Sequence, residues 1–183
     1  ITCGLLACGA LQAEGPALLA DVGTNGEMAL LSGGTIHCCA TAAGPAFEGV
    51  GISCGSGAVP GAIDAVTAED GALHVHVIGG GGARSLCGSG LLDAVAALRR
   101  LELVEDSGFM EEDSLPLSGS AALLRRDIRA FQLAKSAICA GVGTLLHTAD
   151  VRASEVKTVW LAGGFGCKLS PESAGAVGML PLA

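Results

Sequence analysis

Leu18-Leu19-Ala20-Asp21-Val22-Gly23-Thr24-Asn25-Gly26-Glu27 is the stretch on which the fold turns. An apolar run from Pro16 to Val22 reads as a buried strand that delivers Asp21 to its end. The Asn-Gly pair marks a hairpin turn, and Glu27–Ser32 and Thr35–Ala40 follow as two further strands of a meander. A glycine-bounded turn after a buried strand exposes consecutive backbone N–H groups, a concavity suited to an anion. A carboxylate beside it suits Mg²⁺, held directly or through water. Phosphate with Mg²⁺ is the ligand this pattern points to, against the plain alternative of a hairpin with Asp as a turn former.

Two further stretches extend this reading. Val159-Trp160-Leu161-Ala162-Gly163-Gly164-Phe165-Gly166 is a hydrophobic strand, Thr158–Ala162, running into paired glycines. Bare backbone there lets a flat ligand such as adenine lie close, although a tight strand-to-helix turn explains the same residues. Cys87-Gly88-Ser89-Gly90-Leu91-Leu92-Asp93 opens a helix whose free N–H groups suit a phosphate or sugar hydroxyl. Asp93 can accept from a ribose hydroxyl or simply favour the helix N-terminus.

Between these lie a helix over 1–13, a Gly/Ala/Pro-rich segment with a short helix near Ala46–Ile52, and two strands, Ala62–Glu69 and Ala72–Ile78. Gly79–Gly82 reads as a hinge. Leu91, Leu92, Val95, Ala96, Leu98 and Leu101 set a helical period, and residues 105–120 read as a surface loop. The longest helix is predicted over Asp127–Ala149, with Ile128, Phe131, Leu133, Ala134, Ile138, Val142, Leu145 and Leu146 recurring at helical spacing. Ser170 followed by Pro171 caps a last helix. The order predicts an α/β fold, a mixed β-sheet flanked by helices, in one unit spanning 1–183.

Composition narrows the function. Of 183 residues, 50% are hydrophobic and 29 are Gly, more than twice the ordinary glycine share of about 7%. Such a chain buries a core and is not disordered. A formal net charge of −8 excludes a nucleic-acid binder that works by bulk charge. Mean hydropathy is +0.58, yet no run approaches the about 20 apolar residues of a membrane span, so no membrane partner is expected. Eight cysteines are scattered with no C-x-x-C pair, which argues against zinc and fits free thiols in a reducing cytoplasm.

Other motifs fail on context. There is no phosphate-binding G-x-x-x-x-G-K-[ST] run. Gly51-Ile52-Ser53-Cys54-Gly55 matches a hydrolase elbow in letters but lacks the strand before it and the helix after it. His74 and His76 alternate on one strand face without a third ligand. Glu48 is an acid in an apolar segment that either faces the site or caps a turn.

Six blocks in order carry a resemblance. ADVGTNGE (20–27), TAAGPAFEG (41–49), PGAIDAV (60–66), CGSGLLDAV (87–95), DIRAFQLAKSAI (127–138) and LAGGFG (161–166) resemble the C-terminal ATPase region of the reductive activators of corrinoid proteins. That region is one lobe of the ribonuclease-H-like, actin/Hsp70/sugar-kinase ATPase fold. The resemblance implies ATP and Mg²⁺ as ligands and a corrinoid protein as partner, with ATP driving reduction of Co(II) corrinoid to Co(I). It implies Asp21 as the catalytic and metal-binding carboxylate and Gly23, Thr24, Asn25, Gly26 and Glu27 around the phosphates. Gly88, Ser89, Gly90 and Asp93 would face the ribose or base, and Gly163, Gly164, Phe165 and Gly166 the adenine. Family members carry a [2Fe–2S] domain and a first ATPase lobe that this chain lacks, so the chain resembles a truncated piece, and alone it is expected to turn over negligible ATP. A homodimer through apolar surface left bare is a further expectation. Cys167-Lys168 stands where the family tends to have an Asn-Tyr type pair. Two rival readings are an activator of 2-hydroxyacyl-CoA dehydratases, with Cys87 holding a subunit-bridging [4Fe–4S] cluster, and a non-catalytic docking lobe.

Overall fold

The structure is a computed structural model that describes residues 1–180. Three strands follow one another as β1 (Ala17–Val22), β2 (Gly26–Ser32) and β3 (Thr35–Thr41), and β9 (Thr158–Ala162) returns late in the chain to join them. The sheet order is β3-β2-β1-β9. β1 is antiparallel to β2, with Asp21 opposite Glu27, and parallel to β9, with Asp21 beside Ala162. The parallel pair puts the carboxyl ends of β1 and β9 side by side, the edge at which α/β sheets present ligands.

The period-two pattern sorts the side chains. Leu18, Ala20, Val22, Met28 and Leu30 face the main core, while Leu19 and Ala29 face the other way. There they meet Leu5 of helix α1 (Thr2–Ala7), Ala10 and the partly buried Trp160. The helix expected over 1–13 is broken. Gly9, at φ 70°, takes the left-handed conformation that ends helices, and only a 3₁₀ turn, Ala10–Gln12, follows.

A second mixed sheet has the order β5-β4-β6. β4 (Ala62–Glu69) pairs antiparallel with β5 (Ala72–Val77) and parallel with the two-residue β6 (Ser85–Leu86). Helix α2 (Gly88–Arg100) packs on β4 and is buried nearly all round at Leu91, Leu92, Ala94, Val95 and Leu98. The expected short helix near Ala46–Ile52 is a 3₁₀ turn, Pro45–Glu48.

The end of the stretch read as a surface loop, 105–120, forms the first strand of a hairpin. β7 (Ser114–Ser118) pairs with β8 (Ala121–Leu124), and Pro116 sits in β7. A two-stranded ribbon has only edge strands, where proline is tolerated, so Pro116 masked a real strand. β8 runs directly into α3 (Arg125–Thr148). Ile128, Phe131, Ala134, Ile138, Val142 and Leu145 are buried along α3, whereas Leu133 is 76% exposed, off the stripe it was assigned to. The one-turn helix α4 (Gly163–Gly166) leaves β9, and α5 (Pro171–Ala176) follows. Ser170 caps α5 as predicted, its hydroxyl accepting from the Ser173 N–H at 3.1 Å.

Among the described residues no helix is long and apolar enough to cross a membrane. The fold is thus mixed sheets flanked by helices.

Candidate functional site

A cleft of about 740 Å³ opens where the ends of β1 and β9 meet the N-terminus of α2. Of the residues singled out in the sequence, Gly23, Glu48, Cys87, Gly88, Ser89, Asp93, Gly164 and Phe165 line it, while Asp21, Thr24, Asn25, Gly26, Glu27, Gly90, Gly163 and Gly166 lie outside its lining. Phe47, Asp64, Lys168 and Ser170 join them.

Asp21 and Gly163 sit together at the strand ends. Gly163 has φ +89°, and a Cβ there would lie 2.5 Å from Asp21 Oδ1 and 2.7 Å from the Val22 carbonyl. Only glycine fits both the conformation and the space. The absent side chain leaves the carboxylate of Asp21 directly against bare backbone. Glu27 stands opposite Asp21 on β2, so two carboxylates flank the strand end.

The β1–β2 turn is pinned from three sides. The Gly23 N–H donates to the Asn25 carbonyl at 2.9 Å, the Gly44 N–H donates to the Thr24 carbonyl at 2.9 Å, and Thr24 Oγ1 donates to Glu48 Oε1 at 2.7 Å. Among the described residues no acceptor takes the N–H of Thr24 or Asn25. These two exposed residues, rather than Gly23, hold the donors that the turn offers to an anion. Gly26 is buried instead, and a side chain on it would strike Ile138 of α3. Glu48 thus both lines the cleft and holds the turn.

On the opposite wall α2 begins against backbone. A Cβ on Gly88 would collide with the Phe47 carbonyl, and one on Gly90 with the Ile63 carbonyl. Gly88 therefore lets the helix start close to the cleft, while Gly90 seats it on β4. Ser89 Oγ donates to the Asp64 carbonyl at 2.8 Å. Gly166 is buried behind the cleft near Leu161 and Val22.

The pairing that makes the aromatic floor was not legible in advance. Phe47 and Phe165 stack with centroids 4.3 Å apart and planes 7° from parallel, and Phe131 meets Phe47 edge-on at 6.1 Å. Phe165 was expected beside the adenine, whereas for Phe47 and Phe131 the rarity of aromatics in this chain is the sequence signal. The cleft's charge is mostly negative, with Glu48, Asp64 and Asp93 against Lys168. Asp64 Oδ1 lies 2.5 Å from His76 Nδ1. Asp93 is 9% exposed and accepts from Ser173 Oγ at 2.6 Å and from the Val66 N–H at 3.4 Å. Burial pushes its carboxyl above the usual carboxylate range. The Ser173 and Val66 hydrogen bonds oppose that shift, and the Asp64 and Glu172 charges add to it.

Other candidates resolve locally. Ser53, in the elbow-like motif, gives its N–H and hydroxyl to Asp127 Oδ1 at 2.9 and 2.8 Å, and among the described residues no histidine joins them. Asp127 is fully buried and also accepts from the Leu124 N–H at 2.9 Å, capping α3. His74 and His76 are exposed on β5, and among the described residues no three His, Cys, Asp or Glu side chains converge as a metal site. Cys87 is 4% exposed, with Sγ 3.4 Å from Ser89 Oγ.

Comparison with known proteins agrees with this architecture. Residues 15–183 match a family described as the C-terminal domain of RACo, the ASKHA domain. A corrinoid activation enzyme, RamQ, from Eubacterium limosum is 32% identical over 192 residues, covering 90% of this chain and 32% of that protein. A [Co(II) methylated amine-specific corrinoid protein] reductase from Methanosarcina barkeri is 29% identical over 188 residues, covering 91% of this chain and 35% of its own length. The solved structure of a reductive activator for corrinoid, iron–sulfur protein superposes with a TM-score of 0.86 at 33% identity, over 98% of this chain and 32% of its own. The chain spans about a third of the length of these relatives. It belongs to the family of C-terminal ASKHA domains of RACo.

Proposed function

We propose that this chain is the ATP-binding lobe of an ATP-dependent reductive activator that returns a corrinoid protein from Co(II) to Co(I) for methyl transfer. The observation that carries the reading is the meeting of Asp21 Oδ1 with side-chain-free Gly163 where parallel β1 and β9 end at the cleft. The residues fit Mg²⁺ and a polyphosphate: paired carboxylates at Asp21 and Glu27 for the cation, and the N–H groups of Thr24 and Asn25 for phosphate oxygens. Gly164, with open space where a side chain would stand, leaves backbone free for the base, while Gly163 makes room for Asp21, and Gly88 and Ser89 face the sugar side.

In this scheme Asp21 orients Mg²⁺ or the attacking water, ATP and water give ADP and phosphate, and the chain's part is positioning and charge neutralisation. A [2Fe–2S] cluster carried by another domain would supply the one electron that takes Co(II) to Co(I). The rival reading with a subunit-bridging [4Fe–4S] cluster at Cys87 has less support, because Cys87 is 4% exposed and reaches only the cleft wall, beside Ser89.

The test is calorimetric titration of the full-length protein with MgATP, beside Asp21→Ala, with hydrolysis followed in parallel. Saturable binding, with hydrolysis lowered about 10²-fold in the variant, is expected. Equal binding and turnover in both proteins overturns the assignment. Binding of a corrinoid protein without any response to ATP would identify a docking lobe instead.

A further inference from the structure

Asp93 faces two cavities. It lines the cleft and also a second, open pocket of about 350 Å³ lined by β4, α2 and α5. Its Oδ1 is held by Ser173 of α5 at 2.6 Å, while Oδ2 has only the Val66 N–H at 3.4 Å, beyond the usual N–H···O range. An ionised carboxylate offers about four lone-pair sites, so acceptor capacity remains. No cation forms an ion pair with Asp93 among the described residues. With Asp64 on the same cleft wall, an anion is repelled there and a neutral O–H donor is favoured.

The other end of the link is α5. Ser173 ties α5 to α2 through Asp93, and three residues on, the Ala176 carbonyl accepts from the Arg99 guanidinium. Leu169 and Ser170, which lead into α5, themselves line the cleft. The strand-end cleft and α5 therefore share one buried carboxylate.

We propose that Ser173 is a positioning residue for the cleft: acting through Asp93, it couples the seating of α5 to a ligand hydroxyl of the ribose-diol class. This rests on the nucleotide reading above. A hydroxyl in the cleft completes the coordination of Asp93, and the filled carboxylate holds α5 against α2. Loss of the Ser173 hydroxyl frees Asp93 to turn, so the ligand hydroxyl loses its fixed acceptor although the cleft stays intact.

The test compares ATP, 2′-deoxyATP and 3′-deoxyATP, each with Mg²⁺, on full-length wild type, Ser173→Ala, Ser173→Thr and Asp93→Asn. Wild type should prefer ATP over at least one deoxy analogue by about tenfold, the size of one hydrogen bond to a charged acceptor. Ser173→Ala should erase most of that preference while leaving deoxy-analogue affinity nearly unchanged, and Ser173→Thr should restore it. Hydrogen exchange in wild type should slow over 171–180 with ATP, and less with the discriminated analogue. A merely structural Ser173 would weaken all three nucleotides equally, which overturns the proposal. Equal binding of all three to wild type, or unchanged α5 exchange, also overturns it while leaving the nucleotide site standing. No binding of any nucleotide to wild type overturns the site reading itself.

Discussion

Two aspartates show what burial does to a carboxylate in this chain. Asp127 is fully enclosed and receives three donors, two from Ser53 and one from Leu124. Asp127→Ala leaves those donors unpaired and uncaps α3, and should cost about 3 kcal/mol in denaturant titration. Asp127→Asn should cost less, since one amide oxygen still accepts. Asp93 has the opposite character, with its folded-state pKa raised by burial. A carboxyl whose pKa is higher folded than unfolded binds more protons in the native state across that interval. Its contribution to stability is then greatest below the unfolded pKa and declines as pH rises through the raised value. The stability of wild type relative to Asp93→Asn should therefore fall from acid toward neutral pH, as followed by melting at a series of pH values. Neither partner set was legible in the sequence. Ser173 lies 80 residues from Asp93 and Ser53 lies 74 from Asp127, so only the folded chain brings them together.

Elements were legible where their signal was local. β1, β2 and β3 emerged because apolar alternation and Asn25-Gly26 sit within one short window. α3 emerged because a long helix repeats its stripe many times, and the single error, Leu133, is an apolar residue on the solvent face. β6, β7 and β8 have two, five and four residues, too few to show a period, and Pro116 argued against a strand. In α2 the paired glycines do the seating. Gly88→Ala forces the helix start away from the Phe47 carbonyl and should cost about 1–3 kcal/mol, with a parallel loss of nucleotide affinity. Gly90→Ala meets the Ile63 carbonyl and should cost a similar amount of stability. Ser170→Ala removes the α5 cap and should cost about 1 kcal/mol by thermal melting.

Across the whole molecule, the cleft exists because the fold draws together stretches far apart in the chain, among them the β1–β2 turn, the Pro45–Glu48 turn, the start of α2 and the β9–α4 junction. These four carried a sequence mark, but the stacking of Phe47 on Phe165 that floors the cleft joins residues too far apart to pair by inspection. A ligand that binds only the folded form should stabilise it by about 2.7 kcal/mol at a hundred times its dissociation constant. That gain should appear with MgATP in melting of the full-length protein and vanish in Asp21→Ala.

The chain has one Trp and no Tyr, and that Trp lies on β9 beside Leu19, two residues before Ala162 gives way to Gly163. Ultraviolet emission from these 183 residues therefore comes almost wholly from one indole, on a strand that ends at the cleft. Its colour and quenching give this segment a built-in optical probe, sensitive to the packing of α1 on the back of the sheet and requiring no label.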